Sequence, residues 1–242
     1  MFSPCCVDFD PVYFLTFAEA HKKYSYAASF ATKEIPQEMV EEYKKRLKDF
    51  QSISVRETEG VSLVQQLCQK EAKVHLDPSM LLSKEQWSEI AQVKEEQPYI
   101  LIYTLWEKPG LMEFARKLAK EKNMKIIALS DAPHLPDSVI TYRRATAVEE
   151  FLGYFKNASY VITNSFHGTA FAVIFHKSLF VEYENKVSRN IRSESLMKSL
   201  GICREIVDGN AAETEICWDE VDKKLNALRE ESIEYLRNII NG

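Results

Sequence analysis

From residue 97 to residue 208, short apolar runs rich in β-branched residues alternate with amphipathic stretches, and a weaker version of the same alternation occupies residues 1 to about 76. The chain then closes on a long apolar stripe at helical spacing. Together these predict an α/β chain with one complete doubly wound domain, the remnant of a second before it, and a long C-terminal helix. The boundaries this implies are 1–82, 83–208 and 209–242.

Residues 24–30 and 52–55 read as strands. A helix beginning after Pro36 separates them, with Met39, Val40, Tyr43, Leu47 and Phe50 at helical spacing. A second helix follows over residues 60–68 and a third strand over 73–76, before Asp77-Pro78 breaks the chain. Ser83 and Gln86 are spaced as a capping box, with Ser83 as the cap.

The later half is cleaner. Residues 99–105 predict a buried strand, 110–122 an amphipathic helix and 125–130 the next strand. A helix over 146–157 leads directly into a strand over 160–163, and 179–181 predicts the final parallel strand of a five-strand domain. Residues 190–200 read as a helix that stops at Gly201. Ile216, Val221, Leu225, Leu228, Ile233, Leu236 and Ile240 mark the terminal helix over 215–240. The earlier segment supplies only two or three strands, too few for a typical independent sheet.

Composition narrows the function classes. Of 242 residues 45% are hydrophobic, enough for ordinary cores, and the formal charge of −5 argues against a nucleic-acid partner. No apolar run approaches the roughly 20 residues a membrane-crossing helix needs. Five scattered cysteines without a C-x-x-C pair read as free thiols in a reducing cytoplasm, and five dispersed histidines give no metal-ligand spacing.

The most informative stretch joins the strand over 160–163 to an apolar helix over 170–175, through Asn164, Ser165, Phe166, His167, Gly168 and Thr169. Ser165 or Asn164 can cap the new helix, Gly168 lets a ligand approach the backbone, and the first-turn N–H groups form an anion site. His167 adds a side chain that exchanges a proton near neutral pH. The same residues also fit a helix start bonded only to backbone.

Asn164-Ser-Phe-His-Gly-Thr169, placed between a strand and an apolar helix, resembles the signature of the polysaccharide pyruvyl transferases, in the branch that carries S-F-H-G-T. Phe9-Asp-Pro-Val-Tyr-Phe-Leu15, Tyr24-Ser-Tyr-Ala-Ala-Ser-Phe30, Ile53-Ser-Val-Arg-Glu57, Leu76-Asp-Pro78 and Glu149-Glu-Phe-Leu152 resemble further pieces of that branch in the same order, up to about Val207. The resemblance implies a GT-B-like architecture of two Rossmann-like domains, here one complete and one partial. It also implies transfer of a carboxyethylidene group from phosphoenolpyruvate to sugar hydroxyls. No cofactor is implied, phosphoenolpyruvate being the donor substrate. The implied partners are a sugar or lipid-linked glycan acceptor and no nucleic acid, and a lipid-linked acceptor is compatible with peripheral membrane association.

Under that resemblance His167 is the acid/base, and Asn164, Ser165, Gly168 and Thr169 are donor contacts. Other branches carry Arg-x-His where this chain has Ser165-Phe-His167, so a cation must come from elsewhere; Arg56 and Arg189 are the candidates, having planar forks suited to carboxylate or phosphate. Ser29 stands at a strand end facing the implied cleft. Arg56 equally suits an ion pair at its strand end, and Arg189 a solvated helix start. Glu149 and Glu150 suit the N-terminus of their helix, and Trp87 and Trp106 suit packing. The family's G-S-D-x-x-W segment is expected before the Phe9 match and is not in this chain, so three outcomes stay open: weak binding, a cleft completed by another polypeptide or a homodimer, or an inactive chain. Two other readings stay open: a GT-B glycosyltransferase using a nucleotide sugar, and a non-catalytic module that binds a glycan or a partner enzyme.

Overall fold

The computed structural model describes residues 2–4, 10–92, 95, 97–105, 109–130, 137–144, 146–183 and 191–241. The chain divides into two compact units: Met1–Leu81 with Asn185–Gly201 and Asp219–Gly242, and Leu82–Glu184 with Ile202–Trp218.

In the first unit, helix α1 (Val40–Lys48), strand β1 (Ile53–Val55), helix α2 (Thr58–Cys68) and strand β2 (Ala72–Val74) follow one another, and β1 and β2 pair in parallel. The core is aromatic. Phe2, Phe14, Phe30, Tyr43 and Phe50 pack with Leu47, Ile53, Val55, Leu63 and Val64, and the Phe2 ring stacks on Phe14 at 5.1 Å. The strand expected over 24–30 does not form. Isolated bridges join Tyr24 to Ser52 and Ala28 to Val55, so four steps on one chain face three on the other. The surplus is taken up near Ala27, whose φ of 45° lies in the left-handed region, and a bulge of this kind breaks a ladder.

The second unit holds α3 (Lys84–Ile90), β3 (Tyr99–Tyr103), α4 (Pro109–Lys122), β4 (Lys125–Leu129), β5 (Ile140–Arg143), α5 (Val148–Asn157), β6 (Tyr160–Thr163), α6 (Phe166–Ile174), β7 (Ser178–Glu182) and β8 (Glu205–Ile206). The capping box is present: the Ser83 side chain accepts from the Gln86 N–H, and the Gln86 side chain accepts from the Ser83 N–H. The sheet is fully parallel with the order β5-β4-β3-β6-β7-β8, six strands where five were expected. Residues 179–181 are therefore not in the last strand. Strand β8 is two residues long, and β5 is a half-exposed edge reading Ile-Thr-Tyr-Arg, so neither carries the apolar run of a buried strand.

Counted along this unit the order is 3-2-1-4-5-6, the doubly wound arrangement, and it reverses between β3 and β6. Ile100, Ile102, Ile126, Ala128, Ile162 and Phe180 face α4 through Leu111, Phe114, Ala115 and Leu118. Beside the sheet, Phe151 and Phe155 of α5 pack on Phe171 of α6, and Phe151 meets Tyr103 at 5.1 Å. The helix starts at Phe166 with Ser165 in the expected cap position, so the polar cluster forms its first turn ahead of the apolar run over 170–175.

Helix α7 (Ile191–Leu200) and nearly all of α8 (Trp218–Asn241) belong to the first unit. The Ser232 hydroxyl of α8 accepts the Leu76 N–H at 3.0 Å, and Tyr235 donates to the Ser25 carbonyl at 2.9 Å. Among the described residues no helix is long and apolar enough to cross a membrane, and no group of His, Cys, Asp and Glu is gathered as a metal site.

Candidate functional site

The reversal in strand order places the carboxyl ends of β3 and β6 side by side while their chains leave for opposite faces of the sheet, the position at which open α/β sheets bind ligands. Two side chains carry the β3–β6 pairing past its last residues. Thr163, fully buried, donates its hydroxyl to the Tyr103 carbonyl at 2.5 Å and accepts the Ser165 N–H at 3.0 Å. Asn164, half-buried, accepts the Leu105 N–H on Oδ1 at 3.0 Å.

Helix α6 starts from this clamp. Ser165 occupies its N-cap position, yet its hydroxyl makes no cap bond; its carbonyl accepts the Thr169 N–H at 2.9 Å and the Thr169 hydroxyl at 3.0 Å. Ser165 and Thr169 are both buried. A β-carbon on Gly168 would lie 2.2 Å from Thr163 Oγ1 and 3.1 Å from the Tyr103 ring. The missing side chain therefore serves the packing of α6 on the sheet, not the approach of a ligand from that direction. With Phe166 and Gly168 buried on either side, His167 is the exposed residue of the first turn, and the Phe166 ring meets its imidazole edge-on at 5.4 Å. Such a first turn offers N–H groups that the helix itself does not use, beside a side chain able to carry a proton.

The other predicted contacts are outside the second unit or outside the described residues. Arg56 and Ser29 belong to the first unit, and Arg189, like Trp106, lies outside the described residues. Arg56 pairs through Nη1 with the buried Asp77 carboxylate at 2.8 Å, and Asp77 also accepts from the Ser79 hydroxyl at 2.6 Å. Ser29 is buried, and its hydroxyl donates to Glu57 Oε1 at 3.1 Å. The same oxygen accepts the Phe30 N–H at 2.6 Å and the Ala31 N–H at 3.0 Å, while Glu57 Oε2 is buried without a hydrogen bond. Desolvation raises the Glu57 carboxyl above its ordinary range despite those three donors. Trp87 packs edge-on against Phe171 at 5.4 Å. Glu149 and Glu150 stand in the first turn of α5, where acids complement the helix dipole.

Thr163, Glu57 and Asp77 were not singled out from the sequence. Gly168, five residues after the last residue of a buried strand, signals the close approach that Thr163 makes. Arg56-Glu57 directly after a β-branched run signals a charged strand end, but which of the two turns inward is decided by packing.

Among solved structures, the chain resembles UDP-GlcNAc 2-epimerase of Methanocaldococcus jannaschii in complex with UDP-GlcNAc and UDP, with a TM-score of 0.50 and 12% identity over 80% of this chain and 62% of that one. It also resembles UDP-N-acetylglucosamine 2-epimerase from Rickettsia bellii (TM-score 0.46, 14% identity, 90% and 67% covered) and the wall teichoic acid polymerase TagF (0.45, 10%, 83% and 60%). The chain thus spans 62% of the first of these structures, and at such identities the likeness shows the fold, an α/β architecture of GT-B type with a parallel sheet. No curated protein matches the chain. The sequence model described as polysaccharide pyruvyl transferase matches residues 9–183, through the strand, turn and helix that carry His167. With 9–183 of its 242 residues so matched, the chain belongs to the polysaccharide pyruvyl transferase family.

Proposed function

We propose that this protein transfers the carboxyethylidene group of phosphoenolpyruvate to two hydroxyls of a glycan, with His167 as its acid/base. Membership of the family supports a transferase acting on a glycan. The observation that carries the residue assignment is the exposure of His167 on the first turn of α6, at the carboxyl end of β6 beside the reversal in strand order.

The chemistry asks for a proton and an anion clamp. Protonation of the donor's methylene carbon by His167 makes a methyl group and leaves an oxocarbenium-like centre at C2. One sugar hydroxyl bonds to C2 and gives up its proton. A second hydroxyl then displaces phosphate and closes the ketal, so donor and diol yield ketal and inorganic phosphate. The first-turn N–H groups of α6 are suited to the donor's phosphate or carboxylate, because they point out of the helix at its positive end. An imidazole positioned for the proton transfer contributes about 10²–10⁴-fold in rate.

Incubation of the protein with phosphoenolpyruvate and galactoside or mannoside acceptors tests this directly, reading phosphate release and ketal formation. Both are expected for the wild type and lost in His167→Ala. Turnover of a nucleotide sugar with phosphoenolpyruvate inert would replace this reading by a glycosyltransferase.

A further inference from the structure

A groove of about 530 Å³ opens in the second unit between the end of β5 and helix α5, lined by Arg143, Arg144, Thr146, Glu150, Tyr154 and Glu95 among others. Arg143, Tyr154 and Glu95 hold one another in place. Arg143 donates from Nε to the Tyr154 hydroxyl at 3.1 Å and from Nη2 to Glu95 at 3.3 Å, and Glu95 takes the Lys125 ammonium on its other oxygen at 2.5 Å. The Lys125 contact, followed by Arg143, keeps the Glu95 carboxyl below its ordinary range, so it stays an acceptor. Arg143 therefore faces the groove pre-organised, a condition that lowers the ordering cost of binding.

The charges decide the ligand class. The lining carries two arginines and two glutamates, with Lys125 behind Glu95, so both signs line the groove and an anion entering beside the arginines would also meet Glu150. A neutral polyhydroxyl ring suits both sets: guanidinium forks donate to adjacent hydroxyl oxygens, and carboxylates accept from adjacent hydroxyls. The volume lies in the range of small-molecule sites, 300–1,000 Å³ by general experience.

The location supplies the rest. Arg143 ends β5 and Glu150 stands in the first turn of α5, on the carboxyl rim of the sheet that also carries His167. In the order β5-β4-β3-β6 the two positions are three strand spacings apart, about 14 Å. We propose that this groove is an outer sugar subsite, which takes a neutral sugar unit of the glycan several residues away from the unit that reacts at His167. It rests on the reading of the substrate as a glycan, and not on the donor or on catalysis.

Titrating the intact protein by calorimetry with neutral oligosaccharides of increasing length, and with a uronic-acid oligosaccharide, UDP and inorganic phosphate, tests the subsite. Longer neutral oligosaccharides are expected to bind at least ~10-fold tighter than the monosaccharide, equally in wild type and His167→Ala. Arg143→Ala should abolish that gain. Glu150→Gln, at an exposed first-turn position where folding is not at stake, should reduce it. The proposal is overturned if affinity does not grow with length, if neither variant changes the gain, or if UDP, phosphate or the uronic-acid glycan competes for Arg143 in place of the neutral sugar. Loss of pyruvyl transfer with the length-dependent gain intact would count against the proposed reaction alone and leave the subsite standing.

Discussion

Gly168 and Thr163 meet with no room for a side chain between them: a β-carbon at 168 would stand 2.2 Å from the Thr163 hydroxyl oxygen and 2.9 Å from its β-carbon. What it would strike is a buried strand end, not the tip of a flexible chain, so α6 would have to move. Gly168→Ala should cost about 1–3 kcal/mol of stability, as overpacking does. Urea unfolding measures it, and an unchanged midpoint would show that α6 yields freely.

Thr163 also ties the two strands at their carboxyl ends. Replacing it by valine keeps the shape but removes the acceptor of the buried Ser165 N–H and the donor to the Tyr103 carbonyl, at about 1–3 kcal/mol. Serine keeps the hydroxyl. Thr163→Val is therefore expected to unfold at markedly lower urea than Thr163→Ser, and equal losses in the two would place the contribution in the methyl group instead.

These contacts mark the depth to which the sequence was legible. Strands β3, β4, β6 and β7 are near-continuous apolar runs because they are buried on both faces, and such runs can be read. Strand β5 is a half-polar edge and β8 two residues long, so neither leaves that trace. His167 stood out by its residue type between a strand and a helix. That Phe166 and Gly168 turn inward, so that His167 alone of the three faces out, follows from how α6 packs on the sheet, which residue types alone do not show. Arg56 was legible as a cation at a strand end, but its partner Asp77 lies 21 positions away on another loop, a pairing only the fold produces.

Stability should depend on pH through two buried groups of opposite sign. Burial lowers His75, whose Nδ1 lies 2.7 Å from the Ser54 hydroxyl, below its ordinary 6.5. A depressed folded value means stability that is present above 6.5 and is lost as pH falls through the folded value. Burial raises Glu57 above 4.5, so its contribution is full below 4.5 and is lost as pH rises through the raised value. Urea midpoints measured across this range should lose their acid-side decline in His75→Gln and their opposing component in Glu57→Gln. A pH profile identical to wild type in both variants would contradict the assignment.

The capping box on α3 gives a smaller effect. Ser83→Ala removes the acceptor for the Gln86 N–H and should cost about 1 kcal/mol. Ser83→Asp restores an acceptor and should recover most of it, read from the same unfolding curves. Equal losses in both variants would contradict a capping role.

The most direct measurement of the central claim is single-turnover transfer from phosphoenolpyruvate to a glycoside acceptor, followed by phosphate release and by the ketal methyl signal in NMR, for wild type and His167→Ala side by side. With His167 as the acid/base, the wild type releases phosphate in step with ketal formation, and the variant, folded by its unfolding curve, is slower by about 10²–10⁴-fold. Equal rates in the two proteins, or phosphate release without a ketal, would contradict it.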